Sequence, residues 1–280
     1  MAYARVVRAG GGALAGALLW TGCTTDPGGD GKPSAAPSAS APGGGAASPG
    51  GPGTGPSGDP APVASPGLLD YTPDPARLPR TKADARKLAQ AVVAGPELWG
   101  PGYVKRTPYL SAPGHWPVLG EDCVWHGGTQ PPGVLYSVTA YSELPATGGK
   151  GPVRVAATVT VHRDDRSADW EMAETLEEAL RCPDQKLRDG ERISGLLSLG
   201  TAYGKGNFTA HDSVAESGQY HNEAFDAEYI YDWYQARLGQ VTVAAVSKGA
   251  KGYTTDEINQ ARVEALTAML SRIEKQLESE

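Results

Sequence analysis

Cysteine thiols are the side chains whose chemistry depends most clearly on position in this sequence. The 280-residue chain has three cysteines. Cys23 directly follows a segment with two arginines and then an uncharged apolar run, residues 9–20, whereas Cys123 and Cys182 lie well inside the chain. A thiol can be acylated, oxidised to a disulfide, bound to a metal or used as a nucleophile. The surrounding sequence must therefore decide which chemistry applies at each position.

The segment that ends at Cys23 has the form of an export signal. A positively charged start precedes the apolar run of residues 9–20, which is too short to span a bilayer, since that needs about 20 residues. Residues 19–23 (LWTGC) resemble the bacterial lipobox, whose cysteine is diacylated and becomes the new N-terminus. We therefore predict a lipoprotein signal peptide over residues 1–22 and lipidation of Cys23. The alternative is a secreted protein that is cleaved elsewhere, with Cys23 incidental.

The stretch that follows is predicted to be a disordered tether, residues 23–66. From Thr24 onward it consists almost wholly of Gly, Pro, Ala, Ser and Thr, and its only larger apolar residue is Val63. Such a segment cannot bury enough apolar surface to offset the entropy of ordering it. Residues 67–280 are then a single extracellular domain, which is long enough to form one core.

The charge of the chain limits its partners. The formal net charge is −7, and it falls in the predicted domain because the charges of residues 1–66 cancel. An acidic domain without a basic patch argues against nucleic-acid binding and against peripheral binding to an anionic membrane surface. Mild acidity serves solubility.

The other two cysteines favour one disulfide, Cys123–Cys182, because an exported domain folds in an oxidising compartment. Closing a loop of about 60 residues would stabilise the fold by about 4 kcal/mol on the chain-entropy argument. A metal site is the first alternative, since Cys123 and His126 have C-x-x-H spacing, but no second close pair completes a tetrahedral set. A catalytic thiol is the second alternative, and nothing marks either cysteine as activated. We predict no metal and no cofactor.

No motif for catalysis is present. The sequence lacks the G-x-S-x-G nucleophile elbow and the H-E-x-x-H zinc helix. Ser194 and Ser198 are predicted to lie in a loop, and the five histidines to be surface or capping residues. The carboxylate pairs 164–165 and 177–178 are adjacent in sequence and indicate solvated turns and helix faces. We therefore predict that the protein is not an enzyme.

One predicted strand carries an aromatic stripe. Tyr229, Tyr231 and Trp233 alternate along it and share one face, with acidic residues on the other. Such a stripe can line a ligand-binding groove, since its rings carry polar handles. The alternative is that the stripe packs as core beneath the C-terminal helix, and the need of that helix for a sheet face favours this alternative.

Three helices and several strands must position these residues. The predicted helices are residues 81–94, capped by Thr81; residues 167–181, with an apolar stripe of Trp170, Ala173, Leu176 and Leu180; and a final helix after the capping box at residues 254–257. The predicted strands are residues 134–142, 153–161, 209–216, 226–238 and 240–247. Residues 98–133 are predicted to be an ordered loop with one short strand at 123–125. Hairpin connections then imply an α+β fold, a largely antiparallel mixed sheet with helices packed on it.

The C-terminal half resembles the PknH-like extracellular sensor domain family of actinobacteria. The resemblance rests on residues 170–182, the run 231–237 (YDWYQAR), the strand 241–246 and the capped final helix, and it covers roughly residues 120–278. It implies a mixed sheet flanked by helices, a cleft for an unknown ligand and no enzymatic activity. The family usually has four cysteines in two disulfides, whereas this domain has two.

These observations predict a lipoprotein on the outer face of the bacterial cell membrane, held by acylated Cys23. Its extracellular domain is expected to bind or sense an unidentified small-molecule or cell-envelope ligand without catalysis. One alternative is a structural or interaction protein that docks another exported protein through an exposed apolar patch. A less favoured alternative is a hydrolase with an unrecognised site in a cleft.

Overall fold

The computed structural model of the protein describes residues 71–201, 210–225 and 227–278. The predictions for Cys23, for the tether and for Asp226 lie outside these residues. The described helices are α1 (Lys82–Val92), α2 (Asp165–Arg181) and α3 (Thr255–Leu277), and a 3-10 helix spans Pro96–Leu98. The described strands are β1 (Val104–Leu110), β2 (His115–Leu119), β3 (Trp125–Thr129), β4 (Val134–Leu144), β5 (Val153–His162), β6 (Gln185–Arg188), β7 (Glu191–Thr201), β8 (Asp212–Asn222), β9 (Tyr229–Leu238) and β10 (Val241–Lys248).

Eight of these strands form one sheet in the order β1-β4-β5-β10-β9-β8-β7-β6, and β2 pairs with β3 in a separate hairpin. Every named strand pair is antiparallel. The predicted α+β class, with an antiparallel sheet, packed helices and one disulfide, is confirmed. The hairpin predicted to turn near Gly239 joins β9 to β10, and this glycine has a φ of 55° that side chains rarely adopt.

One face of the sheet carries the hydrophobic core. The alternating residues of β5 that the sequence places on one face are all buried, from Val153 to Val161. α3 packs on this face with α1 beside it, and both begin at the predicted caps, Thr81 and Thr254. The residues of α3 predicted to face the core are all buried, namely Ile258, Ala261, Ala265, Leu266, Met269, Leu270, Ile273 and Leu277.

α2 lies on the opposite face, and its predicted apolar stripe is wrong. Trp170 is 60% exposed and Leu180 is 81% exposed. The helix instead buries Ala168, Met172 and Ala179. The last of these contributes to a smaller hydrophobic cluster above β7 and β8.

The reason for this reversal is that α2 faces polar side chains of the sheet. Thr175 of α2 donates a hydrogen bond to Gln235 Oε1 of β9 at 2.8 Å. Glu171 of α2 accepts one from Thr242 Oγ1 of β10 at 2.6 Å. Hydrophobic periodicity therefore selects the wrong side of this helix, because the inward side is partly polar.

The sequence also misses strands at two places. Residues 98–133 contain β1, β2 and β3 and not a loop with one short strand. β1 contains Pro108 and lies at the sheet edge, where a residue without an N–H is tolerated. Ser194 and Ser198 lie in β7 and not in a loop; the register of β7 shifts between Ser194 and Leu197, at a glycine with positive φ, and this bulge hides the strand alternation.

The predicted disulfide is present. Cys123 and Cys182 are bonded, with their Cα atoms 5.5 Å apart, a separation that suits a disulfide. The bond joins Cys123, just before β3, to Cys182 at the C-terminal end of α2. Because both sulfurs are used, the alternatives of a metal site at Cys123 and of a catalytic thiol do not apply.

Candidate functional site

The sheet face beneath α2 is polar at its centre. The strand register places five hydroxyl side chains there, namely Ser137, Thr139, Thr158, Thr160 and Thr242. The hydroxyl oxygens of Ser137 and Thr160 lie 3.0 Å apart, and those of Thr139 and Thr158 lie 2.9 Å apart. These cross-strand hydrogen bonds hold the hydroxyls in a fixed array. We call this array the polar floor.

The β2–β3 hairpin covers part of the polar floor, and we call residues 115–129 the lid. Trp125 in the lid donates its indole N–H to Gln185 Oε1 at 2.8 Å. Arg181, at the end of α2, donates to the carbonyl of Gly120 at 2.9 Å. Together with the disulfide, these contacts fix the lid to α2 and β6.

Two cavities lie between the floor and the lid, one of them also lined by α2 and the other by β6. They share lid, floor and β9 residues, namely Pro117, Trp125, Thr139, Thr158, Tyr231 and Trp233. The first encloses about 150 Å³, and its lining includes four carboxylates, Glu171, Glu174, Glu178 and Glu216. The second encloses about 300 Å³, and its lining includes four cations, Arg106, Arg154, Arg188 and Lys248. We call them the acidic cavity and the basic cavity.

The carboxylates of the acidic cavity differ in how well they are compensated. Glu171 Oε2 lies 2.6 Å from His162 Nε2 and accepts a hydrogen bond from Thr242. Burial raises the pKa of Glu178 to about 7, and the carboxylate of Glu174 adds to this. Burial likewise raises the pKa of Glu216 to about 7, with a contribution from the carboxylate of Glu178 and against the lowering effect of the nearby Ser198 hydroxyl. No arginine or lysine occurs among the described residues that line this cavity.

One buried carboxylate organises the basic cavity. Glu191 is 6% exposed, and its oxygens accept hydrogen bonds from Arg154 at 2.8 Å, Arg188 at 2.8 Å and Lys248 at 3.0 Å. Burial would raise the pKa of Glu191, but the hydrogen bond from Arg188 and the ammonium of Lys248 outweigh it and hold the pKa at about 2. Three cations on one carboxylate leave a positive excess.

The pKa of Lys248 reflects both its burial and this positive excess. Burial lowers its pKa to about 8, because the attraction of Glu191 opposes this only in part and the guanidinium groups of Arg188 and Arg154 add to the lowering. Arg106 completes the cationic lining, and its Nε lies 3.6 Å from Glu143 Oε2. The basic cavity is therefore suited to an anionic group.

The three residues of the predicted aromatic stripe belong to one small hydrophobic cluster, in which Tyr231 is buried and Tyr229 and Trp233 are partly buried. Tyr231 and Trp233 line both cavities. Tyr229 lines neither of them and packs edge-on against Phe225, with ring centroids 5.9 Å apart. The favoured interpretation, that the stripe packs as core, describes Tyr231, which is buried in this cluster. The helix above the cluster is α2 and not the C-terminal helix, because Tyr234 and its alternating neighbours pack on the α3 side. The groove interpretation describes two of the three residues.

Sequence reasoning missed the charged residues of the site. Glu178, Glu216, Glu191 and Lys248 lie on four different elements, and no local spacing connects them. One signal was available, since one face of β5 carries Arg154, Thr158 and Thr160, interrupted only by Ala156. In the structure these polar residues line the two cavities.

A separate cleft next to the disulfide contains an arrangement that resembles a hydrolase triad. Ser194 Oγ lies 2.6 Å from His221 Nε2, and His221 Nδ1 lies 3.2 Å from Glu228 Oε1. The cleft has a volume of about 680 Å³. The backbone N–H groups after the serine are already used, because Gly195 donates to Asp184 at 2.9 Å and Leu196 to a carbonyl at 2.8 Å. They cannot serve as donors to an oxyanion.

An apolar patch is exposed on the α3 side of the sheet. Leu197 and Leu199 of β7 are 77% and 61% exposed, and Val263 of α3 is 38% exposed. These three residues line one shallow depression. This is the feature that a docking role would use.

Among the described residues, no three His, Cys, Asp or Glu side chains converge as a metal ion needs. None of the described helices is long and apolar enough to cross a membrane. The resemblance to the PknH-like sensor domains stays a prediction. No protein-family model and no curated protein matches the chain.

Proposed function

We propose that the protein is an exported lipoprotein whose domain binds a small ligand in the acidic and basic cavities without catalysing a reaction on it. The observation that carries this proposal is the hydrogen bonding of Trp233, which lines both cavities together with Tyr231. The indole N–H of Trp233 is buried and has no acceptor among the described residues. A buried polar group without a partner costs about 1–3 kcal/mol, so a ligand that bonds the indole N–H would recover this free energy. Tyr231, which is 7% exposed, adds a hydroxyl group to the lining of both cavities.

The composition of the two cavities supports the same proposal. Small-ligand sites combine apolar and aromatic walls with a few convergent polar groups. Here the walls come from Trp116, Trp125, Tyr231 and Trp233, and the polar groups come from the floor and from the charged residues at either end. The predicted export signal would place this site outside the cell, and the cleft implied by the PknH-like resemblance agrees with it.

The test removes the indole N–H of Trp233 and the hydroxyl of Tyr231 and keeps an aromatic ring at each position. The protein is purified from its source membrane in mild detergent and analysed by native mass spectrometry. We expect a co-purified small molecule in the wild type and a loss of most of it in the variant Tyr231→Phe with Trp233→Phe. Tyr229→Phe is the matched control, because Tyr229 lines neither cavity. An absence of bound small molecule in the wild type, or equal occupancy in all three proteins, contradicts the proposal.

A hydrolase is the second candidate, because Ser194, His221 and Glu228 are connected in the order that a triad requires. The absence of free N–H donors beside Ser194 argues against it. We expect a fluorophosphonate probe to leave the mass of the protein unchanged. Stoichiometric labelling that disappears in Ser194→Ala would establish the hydrolase and remove the non-catalytic assignment.

A docking role remains the other alternative, and it would use the patch of Leu197, Leu199 and Val263. It would not require the unpaired indole N–H of Trp233. Co-purification of a bound protein, together with an empty pair of cavities, would favour it.

A further inference from the structure

The acidic and basic cavities carry opposite charge, and six residues line both of them. We infer that their ligand is a zwitterion, with a protonated amine in the acidic cavity and a carboxylate or phosphate group in the basic cavity. This inference rests on the proposed function, because it names the chemical class of the ligand that these cavities bind.

The acidic cavity has the chemistry of an amine site. Glu178 and Glu216 enter it together with the rings of Trp125, Tyr231 and Trp233. A protonated amine is attracted to the faces of such rings and forms strong hydrogen bonds with carboxylates. It would also neutralise buried carboxylates that no lysine or arginine in the described lining neutralises. An anionic group at the same place would add to their repulsion.

The basic cavity has the chemistry of an anion site. Arg154, Arg188 and Lys248 share the single carboxylate of Glu191. The Nε atom of Arg154 is buried and has no hydrogen-bond partner among the described residues. A carboxylate or phosphate oxygen would give these donors further acceptors, and guanidinium groups bind such oxygens with two parallel hydrogen bonds.

The distance between the two cavities fits one small molecule. In the sheet register, Glu216 of β8 lies opposite Trp233 of β9, which lies opposite Val246 of β10, and Lys248 follows two residues later. Two strand spacings across the sheet and two residues along it separate the Cα atoms of Glu216 and Lys248 by about 12 Å. The two cavities share six lining residues, so a ligand that bonds both side chains would need its two charges separated by no more than about this distance. An ω-amino acid or a short peptide meets this requirement.

The experiment compares four probes that share an unbranched alkyl chain and differ in charge. They are ε-aminocaproate, hexylamine, hexanoate and hexanol. Binding to the full lipidated protein in micelles is measured by isothermal titration calorimetry, with protein-free micelles subtracted. We expect ε-aminocaproate to bind at least about tenfold more tightly than the other three probes, which corresponds to about 1.4 kcal/mol.

Variants at each end assign the two charges separately. Glu216→Gln is expected to weaken binding of ε-aminocaproate and hexylamine by about fivefold or more and to leave hexanoate unchanged. Lys248→Met is expected to weaken ε-aminocaproate and hexanoate and to leave hexylamine unchanged. If Lys248→Met does not fold, Arg106→Met replaces it, because Arg106 lines the basic cavity and is not among the residues that bond Glu191.

The outcomes separate this inference from the proposed function. If ε-aminocaproate binds no more tightly than hexylamine and hexanoate, the ligand is not a zwitterion. Hexanol binding equal to that of ε-aminocaproate would leave the cavities as a ligand site for a neutral molecule. If no probe binds and native mass spectrometry finds no co-purified small molecule, the proposed function fails with the inference.

Discussion

Glu191 is the residue on which the charge balance of the basic cavity depends, since three cations converge on its buried carboxylate. Its pKa is held at about 2, below the ordinary value of 4.5. A carboxylate whose pKa falls on folding stabilises the folded state above its unfolded pKa, and this stability is lost as the pH falls from about 4.5 to about 2.

We therefore expect Glu191→Gln to lower the free energy of unfolding by about 3 kcal/mol at neutral pH, with the difference shrinking as the pH falls from about 4.5 to about 2. The measurement is urea denaturation across this pH range. Glu177→Gln is the control, because the side chain of Glu177 is 64% exposed and a surface ion pair contributes little. A destabilisation of Glu191→Gln that is equal at every pH would show that its charge is not the cause.

The carboxyl group of Glu216 is expected to change the pH dependence of stability in the opposite direction. It is 8% exposed, and burial raises its pKa from 4.5 to about 7. A carboxyl group whose pKa rises on folding stabilises the folded state most when protonated, and stability falls as the pH rises from about 4.5 through about 7. The acidic cavity thus costs stability at neutral pH, as expected where a proposed function needs a buried charge.

We expect Glu216→Gln to raise the free energy of unfolding by about 2 kcal/mol at pH 8 and by less at pH 5, because the variant removes the charge and not the side-chain volume. Chemical denaturation at the two pH values measures this. The exposed residue Glu121 provides the control Glu121→Gln. Equal stability of Glu216→Gln and the wild type at pH 8 would mean that the carboxylate is solvated.

Among the elements, the lid depends on the rest of the fold through a small number of contacts. The disulfide joins its Cys123 to the end of α2, and Trp125 bonds Gln185 of β6. By contrast, α3 is held by a row of fully buried side chains. The lid is therefore expected to be the first element to open.

Removing the disulfide with Cys123→Ser and Cys182→Ser together tests this expectation. A loop closed over a separation of 59 residues contributes about 4 kcal/mol on the chain-entropy argument. We expect a loss of that order in the free energy of unfolding. Hydrogen exchange should rise more in residues 115–129 than in α3, which serves as the internal control. A uniform rise across the domain would show that the lid does not open separately.

The elements also show what the sequence reveals and what it hides. α3 and β5 could be predicted because each places one apolar side against one apolar core, so periodicity coincides with burial. α2 could be located but not oriented, because its inward side meets the polar floor. The acidic and basic cavities could not be predicted, since their charged residues come from separate strands and from α2. The sequence specifies neither the order of the strands in the sheet nor the position of the helix on it.

At the scale of the whole molecule, the sheet separates stability from the proposed function. The side that α1 and α3 cover contains the larger hydrophobic cluster, which includes Val153 of β5 and Ile273 of α3. The other side of the sheet contains hydroxyl groups, the unpaired indole N–H of Trp233, a smaller hydrophobic cluster and both charged cavities. Substitutions on the first side are expected to act through packing of the core, and those at the charged residues of the second side through ligand binding and the pH dependence of stability.

The predicted anchor gives the last prediction for the whole molecule. Two acyl chains on Cys23 would hold the protein stably in a bilayer, and without them the chain keeps only a tether and a domain of net negative charge. We therefore expect the wild type to partition into the detergent phase, and Cys23→Ser either to be released to the medium or to remain a precursor that keeps residues 1–22. Thr21→Ser, which preserves a small residue before the cysteine, should behave as the wild type. Identical partition of Cys23→Ser and wild type would contradict lipidation. Released Cys23→Ser should still bind ε-aminocaproate, because the residues that line both cavities lie between positions 106 and 248.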